Sequence, residues 1–417
     1  MQDVYIIGIY STQFKKWPEK TFKNLTRDAY MGALTDANLD SGEGINSGYF
    51  GNCGMHNWGQ GMIRGQVCFI PLVQDGLYPE RVSMINVEGG CATASIAFHC
   101  AWKDILSGQS EMSLAIGVEK TFFPDNPELT FGQYQEGFDT FDLEDTYKIY
   151  KKAAMECGKE FVPGPDRSLP MDTYAMQACY HMKRFGTTQR QIAFGASKNH
   201  YYGSLNPKAQ YQFEVPMEKV LEDRLISYPL TRAMCAPVGD GAAAALLCSG
   251  EHLKKLPPKV KERAIKIKAN VITSGKYRNF DEPSLSRIAA LRAYKMADLK
   301  PEAIDVAEVH DATSFCEIYQ MEMMGFCETG QGGPFVESGQ TMIGGKIPTN
   351  TSGGLVSKGH PIGATGLSML YELCLQLRWE AGDRQVENAR FALQENGGGI
   401  IGFEEAACSV IILEKGR

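Results

Sequence analysis

Residues 86–95 read NVEGGCATAS and residues 350–366 read NTSGGLVSKGHPIGATG. Set side by side, Asn86, Gly89, Gly90 and Cys91 match Asn350, Gly353, Gly354 and Leu355. Each stretch runs into helical spacing. Phe98, Ala101, Trp102 and Ile105 fall at i, i+3, i+4 and i+7, and so do Leu370, Leu373, Cys374 and Leu377. The parallel continues in order. MSLAIGVEK (112–120) answers to ARFALQENG (389–397), and GDGAAAALLCSGE (239–251) to EEAACSVIILEKG (404–416). Several matches in one order predict a duplicated α/β unit. Upstream of Cys91, VSMINV reads as a short strand, so the cysteine is expected at a strand–turn–helix junction. Unpaired N–H groups at a helix start favour negative charge, which predicts a thiol of lowered pKa and raised nucleophilicity.

The halves differ in length. Residues 121–229 have no counterpart in the second copy and are rich in Tyr, Phe, Pro and Asp, as in FFPDNPELTFGQYQEGFDTFDLEDTYKIYKK (122–152). They are expected to form an inserted loop domain, a lid or binding surface on a rigid scaffold. The first half is then residues 1–120 with 230–252, the paired prolines of 253–264 mark a connector, and 265–417 form the second half. A formal charge of −7 speaks against a nucleic-acid surface. No apolar run is long enough to cross a membrane. The N-terminus enters a strand-like run with no signal-peptide pattern, and twelve cysteines occur without CxxC pairs. A reduced cytoplasmic setting is therefore expected. Cys53 and His56 have ligand-like spacing but no second pair, so no metal site is expected.

Two of the seven histidines sit in loaded contexts. His360 lies between a glycine and a proline just before the second amphipathic helix, and His310 follows the apolar run VAEV. Catalytic groups of α/β folds gather at such strand and helix ends. Nucleophilic thiol catalysis needs a cysteine and a histidine assembled from distant segments. The run QENGGGIIG (394–402) exposes main-chain N–H groups able to support an oxyanion.

These residues resemble the thiolase family, in its sterol-carrier-protein-type and archaeal branches. GGCATAS is similar to the nucleophilic-cysteine motif, HDATSF to the His-Asp-Cys/Ala-Phe motif, CAPVGDGAAAALL to the family's strand entry, and GGKIPTNTSGGLVSKGHPIGATG to the Gly-His-Pro block. The resemblance implies two duplicated βαβαβαββ halves in a five-layered αβαβα sandwich with an inserted loop domain, and a homodimer or tetramer. It implies that Cys91 attacks a 3-oxoacyl-CoA with His360 as base, while Cys91 and Gly398 or Gly399 N–H groups hold the alkoxide. Asn350 joins the substrate-binding set, His310 stabilises the thioester enolate, and coenzyme A is the co-substrate that resolves the acyl-enzyme. Two positions depart from the pattern. Ala312 stands where many thiolases have a second cysteine, and Glu395 stands where His or Cys is usual. Glu395 is accordingly the expected proton donor, provided burial raises its pKa. GFEEAACS is longer than the usual strand entry around Glu404. The resemblance extends to thiolases that cleave benzoylsuccinyl-CoA to benzoyl-CoA and succinyl-CoA, with acetoacetyl-CoA thiolase as the alternative. Such thiolases often pair with a small zinc-binding OB-fold protein. Steroid-type CoA-ester aldolases and inert scaffold subunits share the fold, but Cys91 with His360 speaks against both.

Overall fold

Small residues on alternate strand positions set how closely the layers of this chain approach. The computed structural model describes residues 2–164, 168–279 and 282–416. The first half comprises β1 (Val4–Ser11), α1 (Phe22–Asp36), β2 (Ser47–Gly51), α2 (Arg64–Gln74), β3 (Ser83–Val87), α3 (Thr93–Leu106) and β4 (Met112–Lys120). Three longer helices follow, α4 (Leu143–Glu156), α5 (Leu169–Phe185) and α6 (Gln189–Ser204), before the chain returns to the sheet as β5 (Asp240–Ser249). The second half comprises β6 (Ile265–Ser274), α7 (Leu285–Ala297), β7 (Val306–Val309), α8 (Ser314–Met323), α9 (Thr365–Arg378), β8 (Phe391–Ile401) and β9 (Glu404–Lys415).

The strands run in the order β3-β2-β4-β5-β1-β6-β9-β8-β7. Read outward from the centre, the order within each half is the same. The halves join at β1 and β6 through only two residue pairs, Tyr5 with Lys266 and Ile6 with Ile265. The second half's counterpart of β3 is reduced to one parallel bridge between Ala307 and Thr349. Pro348 has no N–H to donate and Asn350 turns left-handed (φ +57°), so pairing cannot extend beyond that bridge.

Period-two alternation builds the layers. On β5, Ala242, Ala244 and Leu246 face an outer core with α1 and α2, while Ala243, Ala245 and Leu247 face a central core. That central core interleaves Ala97, Phe98, Ala101 and Ile105 of α3 with Leu367, Leu370, Leu373 and Leu377 of α9. It takes residues from both half-sheets, such as Ala115 of β4 and Ile411 of β9. A third core packs α7 and α8, with α5 and α6, against the other face of the second half. Helix, sheet, helix pair, sheet and helix thus make five layers. Residues Tyr150, Ala153, Phe161 and Met176 form a separate cluster that also takes Ile400 from the end of β8 and Phe403 from the turn after it, so the inserted segment packs on the second half. The segment starts at a fixed point: Asp240 Oδ1 accepts the N–H groups of Thr121 and Phe122, both at 3.0 Å. Among the described residues no helix is long and apolar enough to cross a membrane.

α3 and α9 begin side by side, which is what brings the two glycine-rich stretches together. The loop leading into α9 lies directly on β4: a Cβ added at Gly117 would stand 2.1 Å from the Gly363 carbonyl oxygen. Gly117→Ala should therefore push this loop outward and cost about 1–3 kcal/mol, the range for overpacking. A lowered urea midpoint with unchanged slope would register it; an unchanged midpoint would show that the loop yields freely.

Candidate active site

The chain reaches Cys91 through a tight turn. β3 ends at Val87, and Gly90–Ala92 form one 3-10 turn that runs directly into α3. Gly90 takes φ +56°, a conformation that costs glycine nothing. Thr93 ties the turn down: its hydroxyl accepts from Gly89 N–H at 2.8 Å and donates to the Gly90 carbonyl at 2.7 Å. The second half presses on this turn with bare backbone. A Cβ on Gly398 would stand 2.2 Å from Ala92 N, and one on Gly90 would stand 2.5 Å from Gly399 N. The glycines of β8 are thus placed against Cys91, as an oxyanion pocket requires.

His360 completes the pair. Its Nε2 lies 3.1 Å from Cys91 Sγ and its Nδ1 lies 2.7 Å from Thr365 Oγ1. The Thr365 hydroxyl donates to the Pro361 carbonyl at 3.1 Å. That hydroxyl proton is therefore spent, and Thr365 must accept from Nδ1–H. The tautomer follows: Nε2 carries the lone pair and receives the Cys91 S–H. Thr365 escaped the sequence reading, although it sits five residues after His360 in the same motif.

His310 closes the cluster at 5.2 Å between ring centroids from His360. Cys91, His310 and His360 each present one donor atom, all within 4.8 Å of one another. These three soft donors could hold a thiophilic cation, which would block the thiol. His310 Nε2 is buried and has no hydrogen-bond partner among the described residues. It is a ready contact for an oxygen on a bound molecule.

Electrostatics differ from the sequence expectation. The helix start was expected to lower the Cys91 pKa; instead burial pushes the thiol up to about 12. Burial also holds His310 down at about 4 and His360 well below its ordinary value. Desolvation outweighs the few N–H dipoles of one turn. The pair rests as a neutral thiol and a neutral imidazole, and the proton moves only when charge can pass to a bound reactant.

Glu395 lies on β8 behind His310. Its Oε2 accepts the His310 main-chain N–H at 3.1 Å and its Oε1 accepts the Cys408 thiol at 3.4 Å. Burial, reinforced by Glu405, pushes its carboxyl up to about 8. Glu405 crosses from β9 over Gly397, where a Cβ would come within 2.5 Å of Glu405 Cγ. Its neighbour Glu404 is committed elsewhere, 3.1 Å from Arg278 Nε and accepting from Leu285 N–H at 2.7 Å.

Asn350, expected among the substrate-binding residues, is placed behind the site. It is fully buried; Oδ1 accepts from Val309 N–H at 2.9 Å and Nδ2 donates to Glu317 at 3.4 Å. Its counterpart Asn86 serves likewise, accepting Gly65 N–H at 2.7 Å. The Cys53 thiol and the His56 ring are not paired as ligands, although His56 Nδ1 lies 3.0 Å from the Cys53 carbonyl oxygen. The Cys53 thiol bonds Thr93, and His56 Nε2 faces Glu136. Residues from distant strands and from the inserted segment were not legible beforehand. Glu119 is buried on β4, accepts from Cys53 and Gly54 N–H groups, and is pushed up to about 7. Tyr134 and Tyr174 of the inserted segment are buried, which raises both phenols.

Residues 276–414 match the family model described as thiolase C-terminal domain-like. The acetyl-CoA acetyltransferase of Methanothermobacter thermautotrophicus is 34% identical over 406 residues, covering 96% of this chain and 97% of that protein. Benzoylsuccinyl-CoA thiolase subunit BbsB of Thauera aromatica is 31% identical, covering 92% of this chain and 91% of that one. Among solved structures, the Ltp2-ChsH2(DUF35) aldolase superposes with a TM-score of 0.76 at 21% identity, over 100% of this chain and 98% of that one.

The neutral pair makes a direct prediction about the thiol. Cys91 should react with iodoacetamide ahead of the other cysteines, because His360 can take its proton. His360→Ala should slow that alkylation markedly, and Thr365→Val should slow it less by freeing the wrong tautomer. Preferential labelling of Cys53 or Cys408, read by peptide mass spectrometry, would overturn the assignment.

Proposed function

This chain belongs to the thiolase family and is an acyltransferase, and we propose that it cleaves a 3-oxoacyl-CoA with free CoA through an acyl group carried on Cys91. The single observation that carries this reading is the Cys91–His360 contact, with the unpartnered Nε2 of His310 beside it. Cys91 S–H passes its proton to His360 Nε2 as sulfur attacks C3 of the substrate. The N–H groups of Cys91 and of Gly398 or Gly399 hold the oxygen that gains charge. Collapse breaks the C2–C3 bond and leaves a thioester enolate, whose oxygen faces His310. Glu395 gives its proton to C2, and the first acyl-CoA leaves. The CoA thiol then gives its proton to ionised Glu395 and attacks the acyl group. Cys91 departs and recovers its proton from His360. Cys91, His360 and Glu395 end as they began, the CoA thiol's proton replacing the one given to C2, so one cycle balances. Run backwards, the same groups perform a Claisen condensation. A retro-aldol reading has no use for a thiol paired with an imidazole.

For the acyl group, likeness to BbsB supports an aromatic one, as in benzoylsuccinyl-CoA. The acetoacetyl-CoA reading draws on the likeness to an acetyl-CoA acetyltransferase, which is 34% identical. Rates on benzoylsuccinyl-CoA and acetoacetyl-CoA decide between them. Benzoyl on Cys91, seen as an acyl-peptide, supports the first, and acetyl alone supports the second.

The reading includes partners. β3 ends the sheet with an open edge, and Ile85, Met62 and Ile63 are exposed there. An apolar open edge is a pairing surface, so a second copy of this chain is proposed to cover it in a homodimer or tetramer. A small zinc-binding OB-fold subunit is proposed as well, supported by the two-component name of the aldolase structure and by BbsB being a subunit.

The role of Glu395 makes the pH dependence specific. The raised carboxyl holds its proton below about pH 8 and loses it above. Cleavage should therefore fall as pH rises through that region. Glu395→Gln keeps the shape but carries no transferable proton. It should lose roughly 10²–10⁴-fold in cleavage, the span of general acid–base catalysis, while Cys91 alkylation persists. Near-wild-type cleavage in this variant, with the alkaline limb intact, would move the acid elsewhere.

A further inference from the structure

Helix α6 belongs to the inserted segment, yet two of its consecutive residues end beneath the catalytic histidines. Lys198 Nζ lies 2.5 Å from Glu317 Oε1 and donates to the Thr349 carbonyl at 2.7 Å. Asn199 Nδ2 donates to Asp311 Oδ2 at 2.7 Å and to Glu317 Oε2 at 3.2 Å. All four side chains are buried. Asp311 directly follows His310, and its Oδ1 accepts the N–H of Leu355 at 2.7 Å, on the turn that leads to His360. With Asn350 holding Val309 N–H and Glu395 holding His310 N–H, three successive residues of this loop are held by side chains from elsewhere. The fit is close. A Cβ on Gly354 would stand 2.2 Å from Asp311 Oδ2 and 2.7 Å from Asn199 Nδ2, which accounts for the second glycine of NTSGG.

We propose that Asn199 is a positioning residue: by donating to Asp311 it holds the His310 loop in register with Cys91, so the inserted segment is part of the catalytic apparatus and not only a cover over it. The amide's orientation carries this further. Nδ2 serves two carboxylates while Oδ1 of the same side chain is buried without a partner among the described residues. An unpaired buried carbonyl costs stability, so the residue's value lies in what its donor does. Asp311 is raised well above its ordinary value by burial and by Glu317 and Glu308, with Lys198 opposing. It depends on its donors to stay in place.

The proposal rests on His310 serving the enolate, and the experiment separates the two ideas. Wild type, His310→Ala, Asn199→Leu and Asn199→Asp are compared on whichever of benzoylsuccinyl-CoA and acetoacetyl-CoA the wild type cleaves. The readouts are kcat, KM, solvent-deuterium exchange at C2 of the released acyl-CoA, and Cys91 alkylation. Asn199→Leu should lower kcat and C2 exchange by about 10²-fold, the cost of a misplacement near 1 Å, with KM and alkylation within about threefold. Asn199→Asp sets a third carboxyl beside Asp311 and Glu317. Its kcat relative to wild type should be low at pH 8 and recover towards pH 6, where a protonated carboxyl can again donate. A folded Asn199→Leu with kcat within about threefold of wild type overturns the proposal. If that variant does not fold, Asn199→Asp decides, and a profile parallel to wild type overturns it. Retained kcat and exchange in His310→Ala would instead overturn the reading of His310 itself.

Discussion

Two glycine-rich turns, one from each half, meet backbone to backbone, and everything else in the molecule serves that contact. Gly398 lies where any side chain would strike Ala92 N, and Gly366 lies where one would strike Ser95 Oγ at 2.2 Å. Such closeness needs the starts of α3 and α9 side by side between two half-sheets. That needs small residues on the strands beneath them, and β5 supplies Ala243 and Ala245 to the central core. The half-sheets share only two residue pairs, so the central core and this contact, and not the hydrogen-bond ladder, hold the halves in register.

The contact is also largely withdrawn from water, with Cys91 left partly exposed, and that withdrawal sets the chemistry. Burial raises Cys91, lowers His310 and His360, and raises Glu395 and Glu119. Every one of these shifts favours the neutral form. A site of this kind disfavours standing charge, and a charge that appears during reaction meets dipoles already in place. The Thr365 hydroxyl is the least conspicuous part of that arrangement and the one that sets the tautomer of His360.

Beneath the site the molecule does the opposite and buries charges in pairs. Lys198 with Glu317, Lys358 with Glu308 and Arg384 with Glu372 are all hidden from solvent. Such pairs contribute little net stability against well-packed apolar residues, but removing one partner is costly. They hold loops that carry no regular secondary structure. Ser352, for example, gives both its N–H and its hydroxyl to Glu308, at 3.0 and 2.7 Å. The NTSGG stretch is fixed by side chains because Pro348 and left-handed Asn350 leave it only one bridge to the sheet.

Periodicity and repetition made much of this legible in the sequence. The small-residue run entering β5, the matched helical stripes of α3 and α9, and the glycines flanking Cys91 are local or repeated signals. From them follow the duplicated halves, the position of Cys91 in a turn before a helix, and the nearness of His360 through its matching place in the second copy. What the linear chain could not reveal are the quantities that depend on approach from afar. The thiol's pKa was misjudged because a helix start is visible in sequence and burial is not. Asn350 was assigned to the substrate because its motif lies beside His360, whereas its side chain points back to Val309 and Glu317. Thr365 was within reach, five residues from His360, but Asn199 and Glu405 come from α6 and β9 and carry no local mark. The sequence by itself determined which elements form and that the chain is duplicated, because those depend on spacing along the chain. Only the tertiary structure decided which protons are held and which side chains hold the histidines, because desolvation and most of these hydrogen bonds depend on groups that lie on different elements, as Asn199 and Asp311 do.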